Sequence, residues 1–282
     1  MKQLFRLVCT CLAGLLVLIG TTSVVSSAVP GSIPTVSRGG AEATERAQRL
    51  QPPAPPPAAP DSGRFATLAP GTPLPSDAAC ASAVRPAAEI RPINNAANHT
   101  RGVLTAGVAP AVAGKAVTGN FVGTTDEIIQ WAACKCGIDE DIVRAQIAKE
   151  SGWHMDAYGD AGSDQSACPP RFRGSATCPQ SIGLGQVRFA YHGAAFVNDN
   201  AINSSAYNLD YTYSRWRACF EGSETWFNDF ERGSQYAAGD AWGCVGAWFA
   251  GRWRTAPAVR YISEVQDYLV KRIWATPEFL TW

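Results

Sequence analysis

Histidine is scarce in this chain, and the cysteine patterns that bind metals are missing. The three histidines, His99, His154 and His192, fall at no spacing that ligates a metal. No CxxC pair faces a second one, so neither a zinc finger nor another thiolate centre is expected. No cofactor is implied. Charge of either sign is not in excess, with 24 Lys+Arg against 24 Asp+Glu, and nucleic acid is not an expected partner. No internal repeat appears, which sets solenoids aside. Between residues 29 and 119 large apolar side chains are few, so that stretch cannot bury enough surface to fold alone. The one long apolar run, near the N-terminus, is short for a bilayer span.

That run belongs to "MKQLFRLVCTCLAGLLVLIGTTSVVSSAVPG", where Lys2 and Arg6 precede the apolar residues and Ser26-Ser27-Ala28 offers a small-residue cleavage site. Residues 1–28 therefore read as a secretory signal peptide, leaving no membrane segment after its removal. Cys9 and Cys11 lie before or within the apolar run, which argues for export over lipid anchoring. Residues 29–119 form an Ala/Pro-rich, largely disordered leader, with "QPPAPPPAAP" its plainest part. Within it, "CASAVRPAAEIRPINNAANHTRG" is less degenerate and suits the surface of a folded domain. Residues 120–282 are long enough for one domain and hold all nine tryptophans. They carry fourteen Lys+Arg against nineteen Asp+Glu, so the zero net charge conceals an acidic domain behind a mildly basic leader.

Seven cysteines outlast the signal peptide, and in an oxidising compartment they are expected to pair. Cys168 and Cys178 bracket the polar excursion "PPRFRGSAT", which a local bridge would pin. Cys219 and Cys244 each sit on an expected helix, and a bridge would clamp the two. Cys134 and Cys136 lie about 200° apart around a helix and cannot bond each other. One of them can reach Cys80 and tie down the leader.

The helical signals are local. "TTDEIIQWAACKCG" has a capping box from Thr124 to Glu127 and Gly137 placed to end the helix. Asp139 is an N-cap for a helix over residues 140–150, on which Val143, Ile147 and Glu150 share one face. A carboxylate thus ends a core-facing stripe. Burial raises its pKa, and the negative end of the helix dipole pushes the same way, which favours a glutamic acid that keeps its proton near neutrality. A general acid needs that property. Residues 152–187 are rich in Gly, Asp, Ser and Pro and read as loops or a small hairpin. Helical patterns return in "NLDYTYSRWRACF", "GDAWGCVGAWFAG" and "APAVRYISEVQDYLVKRIW", the last with Val259, Ile262, Val265, Leu269 and Ile273 along one face. The expected class is mainly α (α+β), a helical domain with a loop-and-hairpin lobe after the glutamate.

Glu150-Ser151 at a helix end, Gly183-Leu184-Gly185-Gln186 on the following loop and Trp248-Phe249-Ala250-Gly251 further on occur in a recognisable order. Together they resemble the lysozyme superfamily, specifically its soluble lytic transglycosylase and goose-type lysozyme branch, over roughly residues 121–275. Gly185 stands where that branch has Met, and Trp248-Phe249 where it has Tyr-Asn. The resemblance implies a lysozyme-like domain in which Glu150 protonates the glycosidic oxygen of a β-1,4-linked aminosugar polymer, peptidoglycan first. No enzymic nucleophile is needed in the lytic mechanism, because a substrate group stabilises the cation and a sugar hydroxyl closes an anhydro ring. Gln186 is expected to hold substrate by its amide, and Ser151 to orient Glu150 or touch sugar. Tyr191 and Trp248 are candidate sugar walls, as are Trp153, Tyr158 and Trp253.

Hydrolysis would instead require a second carboxylate about 6.5–9.5 Å from the acid to position water. Asp156, Asp160 and Asp164 are the candidates for it, with Asp160 also a candidate substrate contact. Chitinase- or lysozyme-type hydrolysis on the same scaffold is the first alternative, and a wall-glycan-binding protein without activity the second. The expected protein is a secreted, cell-wall monomer whose partner is the polysaccharide.

Overall fold

Among the described residues strand is confined to two-residue segments, and helix carries the architecture. The computed structural model describes residues 64–103, 111–112, 115–233 and 235–282. The expected signal peptide and residues 29–63 of the leader lie outside the described residues. The described helices are α1 (Asp77–Ala83), α2 (Asn95–Asn98), α3 (Thr125–Cys136), α4 (Glu140–Ser151), α5 (Phe189–His192), α6 (Asn200–Asn203), α7 (Ser205–Phe220), α8 (Ala241–Ala250) and α9 (Ala256–Lys271). Single 3-10 turns join several of them. No described helix is long and apolar enough to cross a membrane.

Local chemistry sets the helix ends. Thr124 accepts from the N3 amide while Glu127 reaches back to the Thr124 N–H, the full capping box, and Gly137 closes α3 in the left-handed region at φ 60°. Asp139 accepts from the amides of Asp141 and Ile142 to start α4. Gly152, also at φ 60°, ends it.

α7 is the axis of the fold: every residue in it except Arg215 is buried. α3 packs along it, α4 packs on α3, and α9 lies against both α4 and α8. The apolar face of α9 is set by Ala258, Tyr261, Ile262 and Val265, with Leu269 and Ile273 partly buried at the margin. Ile273 falls past the helix, in the turn Ile273–Ala275. Compared with the expected stripe, the buried face is rotated toward Tyr261, which is 2% exposed.

The small lobe is an antiparallel three-stranded sheet of β3 (Tyr158–Gly159), β4 (Ser181–Ile182) and β5 (Val187–Arg188). Its register pairs Tyr158 with Ile182 and Ser181 with Arg188. A separate hairpin joins β1 (Ala111–Val112) to β2 (Lys115–Ala116). Among the described residues three bridges are present, Cys80–Cys134, Cys168–Cys178 and Cys219–Cys244, with Cα separations of 5.6, 6.0 and 5.8 Å. Cys136 is a buried thiol.

Residues 64–103 pack onto the helices, as expected for the less degenerate stretch from Cys80 on and against the expectation of disorder for residues 64–79. Cys80, Arg91, Asn94 and Asn98 are all buried there. Phe65, Val84, Ile90 and Ala97 pack against the core, and polar contacts add to that adhesion. Asn94 Nδ2 donates to Thr125 Oγ1 (3.0 Å) and to the Trp153 carbonyl (2.7 Å), and its Oδ1 accepts from the Met155 amide (2.8 Å). Glu89 accepts from the Thr125 amide at 2.8 Å, and Arg91 Nε donates to the Gly152 carbonyl at 2.9 Å. A composition argument weighs apolar area and cannot see such contacts. The folded unit therefore begins well before residue 120.

Candidate active site

Glu150 lies in the last turn of α4, half-buried, on the helix face that α9 covers. Tyr261 donates its hydroxyl to Glu150 Oε1. One turn earlier on α4, Gln146 Oε1 accepts from the Tyr213 hydroxyl at 3.3 Å, and the Gln146 side chain also engages Tyr261. Gln146 and Glu150 stand four residues apart, so α4 brings both to the same face. The result is a buried chain of neutral polar groups, from α7 through α4 to α9, ending on one carboxyl.

No cation is bonded to that carboxyl among the described residues. The nearest, Lys149, turns to Glu264 at 2.9 Å on the outer side. Burial accordingly dominates and raises the Glu150 pKa from 4.5 to about 7, with the Tyr261 hydroxyl and Lys149 pulling down and Asp160 adding to the rise. Burial and the nearby Glu150 charge hold the proton on Tyr261, so it stays a donor.

The loop after α4 reaches the lobe through strained backbone. Trp153 (φ 64°), Asp160 (φ 51°) and Gln186 (φ 49°) all occupy the left-handed region without being glycine, at a cost of about 1–3 kcal/mol each. Asp160 accepts from the Ser181 hydroxyl and lies 3.8 Å from Arg188 Nη1, with half of its side chain exposed. Asp156 pairs at 3.5 Å with His154, and Asp164 caps the turn Gln165–Ala167. Of the three aspartates, only Asp160 acts on the charge of Glu150.

Gln186 is tied to the protein's own backbone through its amide nitrogen. Both hydrogens of its amide go to backbone carbonyls, of Ala157 at 3.1 Å and Gly183 at 2.9 Å, so it fastens the β4–β5 turn to the loop after α4. Ser151 Oγ donates to the Ile147 carbonyl at 3.2 Å, a bond back along its own helix, and makes no hydrogen bond to Glu150. Tyr191 is 72% exposed, with Arg188 5.4 Å above its ring. Trp248 Nε1 donates to the Gly185 carbonyl at 3.0 Å, and its ring stacks on His192. Trp153 and Trp253 are corrections: both are in the core, Trp153 with its Nε1 bonded to the Arg144 carbonyl at 3.1 Å. Tyr158 is exposed and packs edge-on against Phe172.

Several site residues escaped the sequence reading. Tyr261 is one, although its place between Ala258, Ile262 and Val265 on the buried face was a usable signal. Asn208 is another. Its Oδ1 accepts from the Gly185 amide (2.8 Å) while its Nδ2 donates to the carbonyls of Ile182 (3.1 Å) and Ala201 (2.8 Å), so one α7 side chain moulds the turn. A Cβ on Gly185 would overlap Thr212, which accounts for glycine where the resembling branch has methionine. Compared with known protein-family models, with curated proteins and with solved structures, the chain matches none.

Proposed function

We propose that the protein is an exported lytic transglycosylase of the lysozyme superfamily that breaks the β-1,4 glycosidic bond of peptidoglycan. The observation that carries this reading is the Glu150 carboxyl, held by the Tyr261 hydroxyl without a bonded cation and retaining its proton up to about pH 7. A carboxyl so held can give a proton to a leaving oxygen at neutral pH and take one back. The mainly helical unit, with its acid at a helix end and a small antiparallel lobe after it, supports the superfamily assignment. Three bridges favour an oxidising compartment.

In the proposed reaction Glu150 transfers its proton to the glycosidic oxygen as the C1–O bond breaks. The substrate's own N-acetyl group meets the cation. A hydroxyl of the same sugar then attacks C1 and returns its proton to Glu150, closing an anhydro ring. Tyr261 stays bonded to the carboxyl through both steps, and its bond matters most when Glu150 is charged.

Hydrolysis is the second reading, favoured by one observation: the Asp160 charge reaches Glu150. Against it, Asp160 is already engaged by Ser181 and Arg188. Mass spectrometry of fragments released from purified sacculi tests both. Anhydro ends are expected from wild type and from Asp160→Asn. Reducing ends from wild type, lost in Asp160→Asn, would make the protein a hydrolase, and no fragments at all would leave glycan binding without cleavage.

A further inference from the structure

Phe249, in the last turn of α8, is 55% exposed. A single exposed aromatic needs no explanation, but its position does. Its ring lies flat on that of Tyr261, with centroids 4.5 Å apart and planes 1° from parallel. Its neighbour Trp248 is turned the other way, to Gly185 and His192. Tyr261 is 2% exposed, and one face of its ring is covered by Phe249. The phenol that holds the acid is thus clamped between the core and one surface ring.

We infer that Phe249 is a positioning residue, acting through Tyr261 to keep the phenol hydroxyl on Glu150 and water off their hydrogen bond. The inference takes Glu150 as the acid of the reading above. The charged and titratable groups around Glu150 are Lys149 on its own helix, Tyr213 on α7, Tyr261 on α9 and Asp160 from the lobe. Phe249 carries no charge, so removing it changes solvent access and ring placement alone. Burial is the largest cause of the raised Glu150 pKa. Water entering beside Tyr261 weakens that burial, the largest cause, and pulls the pKa down, while a phenol hydroxyl that leaves the carboxyl pulls the other way and offsets part of the drop.

The test is direct titration of Glu150 by carbon NMR on protein carrying labelled glutamate carboxyls, with the Glu150→Gln spectrum assigning the signal. Wild type is expected to titrate near 7 and Phe249→Ala to move toward 4.5. Phe249→Tyr, which restores the stack, should return the wild-type midpoint. Phe249→Leu keeps apolar bulk without a flat ring and serves if the alanine variant does not fold; it should also shift downward. In turnover on glycan, Phe249→Ala should lower kcat while KM holds. An alanine or leucine variant that titrates like wild type overturns the inference. So does a risen KM with unchanged titration, the mark of a ring that only meets sugar. The titration needs no substrate, so shifts as expected in a protein that releases no glycan would sink the glycan reading and leave the positioning role standing.

Discussion

Asp210, midway along α7, is wholly buried, and its Oδ2 accepts from Lys135 Nζ at 2.6 Å and from the amides of Thr118 (2.7 Å) and Gly119 (3.0 Å). Lys135 is itself 1% exposed and reaches Asp77 and Thr118 Oγ1 as well. Glu150, on the neighbouring layer, receives one neutral hydroxyl and no bonded cation. Burial pushes both acids up, but at Asp210 an ammonium and two backbone donors oppose it, while at Glu150 only a phenol and the outward-turned Lys149 do. Asp210 has an ammonium and two backbone amides gathered on its Oδ2. Glu150, the proposed acid, has only the phenol and is left able to hold its proton.

The sharpest way to break this contrast is to unpair Asp210. Lys135→Met should cost about 3–5 kcal/mol in chemical denaturation, because it strands a buried carboxylate. Lys135→Met with Asp210→Leu should recover most of that loss. A single variant as stable as wild type would mean that the knot holds nothing.

The same knot anchors the segment before residue 120 through Asp77 and Thr118, and the Cys80–Cys134 bridge closes a 54-residue separation there. Replacing both cysteines by serine should lower stability by about 2–4 kcal/mol. It should also open residues 64–103 to limited proteolysis. Unchanged melting and cleavage would return those residues to the status of a leader.

Glu150→Gln should act in the opposite sense. The folded pKa of Glu150 lies above its ordinary value, so the folded state binds this proton more tightly than the unfolded chain does. Stability from this group is present below about pH 4.5 and is lost as pH rises through about 7. The glutamine variant should match wild type at pH 4 and exceed it by on the order of 3 kcal/mol at pH 8. Equal stability at both pH values would mean that the carboxyl is not strained by its surroundings.

The smallest expected effect is at Asp160, whose charge is half-exposed. Asp160→Asn should lower the Glu150 midpoint by roughly half a pH unit or less, since solvent screens it. The readout is the same carboxyl NMR signal, and a larger drop would promote Asp160 to a working partner of the acid.

Helix ends and the acid's place were legible because they depend on residues close in sequence: the Thr124–Glu127 box, the Asp139 cap, Gly137, and the i, i+4, i+7 stripe ending on Glu150. The Cys168–Cys178 and Cys219–Cys244 bridges were legible for a similar reason, since local shape limits the choices, while the partner of Cys80 stayed open between Cys134 and Cys136 until the structure showed Cys134. The partners of Glu150 were not. Tyr261 is 111 residues away, and only the packing of α9 on α4 brings it there. At Gln186 motif order says nothing of the Ala157 and Gly183 carbonyls that take its two amide hydrogens. Residues 64–79 differ from expectation because polar contacts that composition does not register hold them, with Arg217 donating to the Leu68 and Ala69 carbonyls and Thr67 Oγ1 accepting from the Asp139 amide.

The most direct test of Glu150 as the working acid is the pH profile of glycan release from sacculi by wild type and Glu150→Gln. Wild-type kcat/KM should fall as pH rises through about 7, where the carboxyl loses its proton. The glutamine variant should fold and be slower by at least about a hundredfold at every pH. A Glu150→Gln protein that turns over at the wild-type rate would contradict the account.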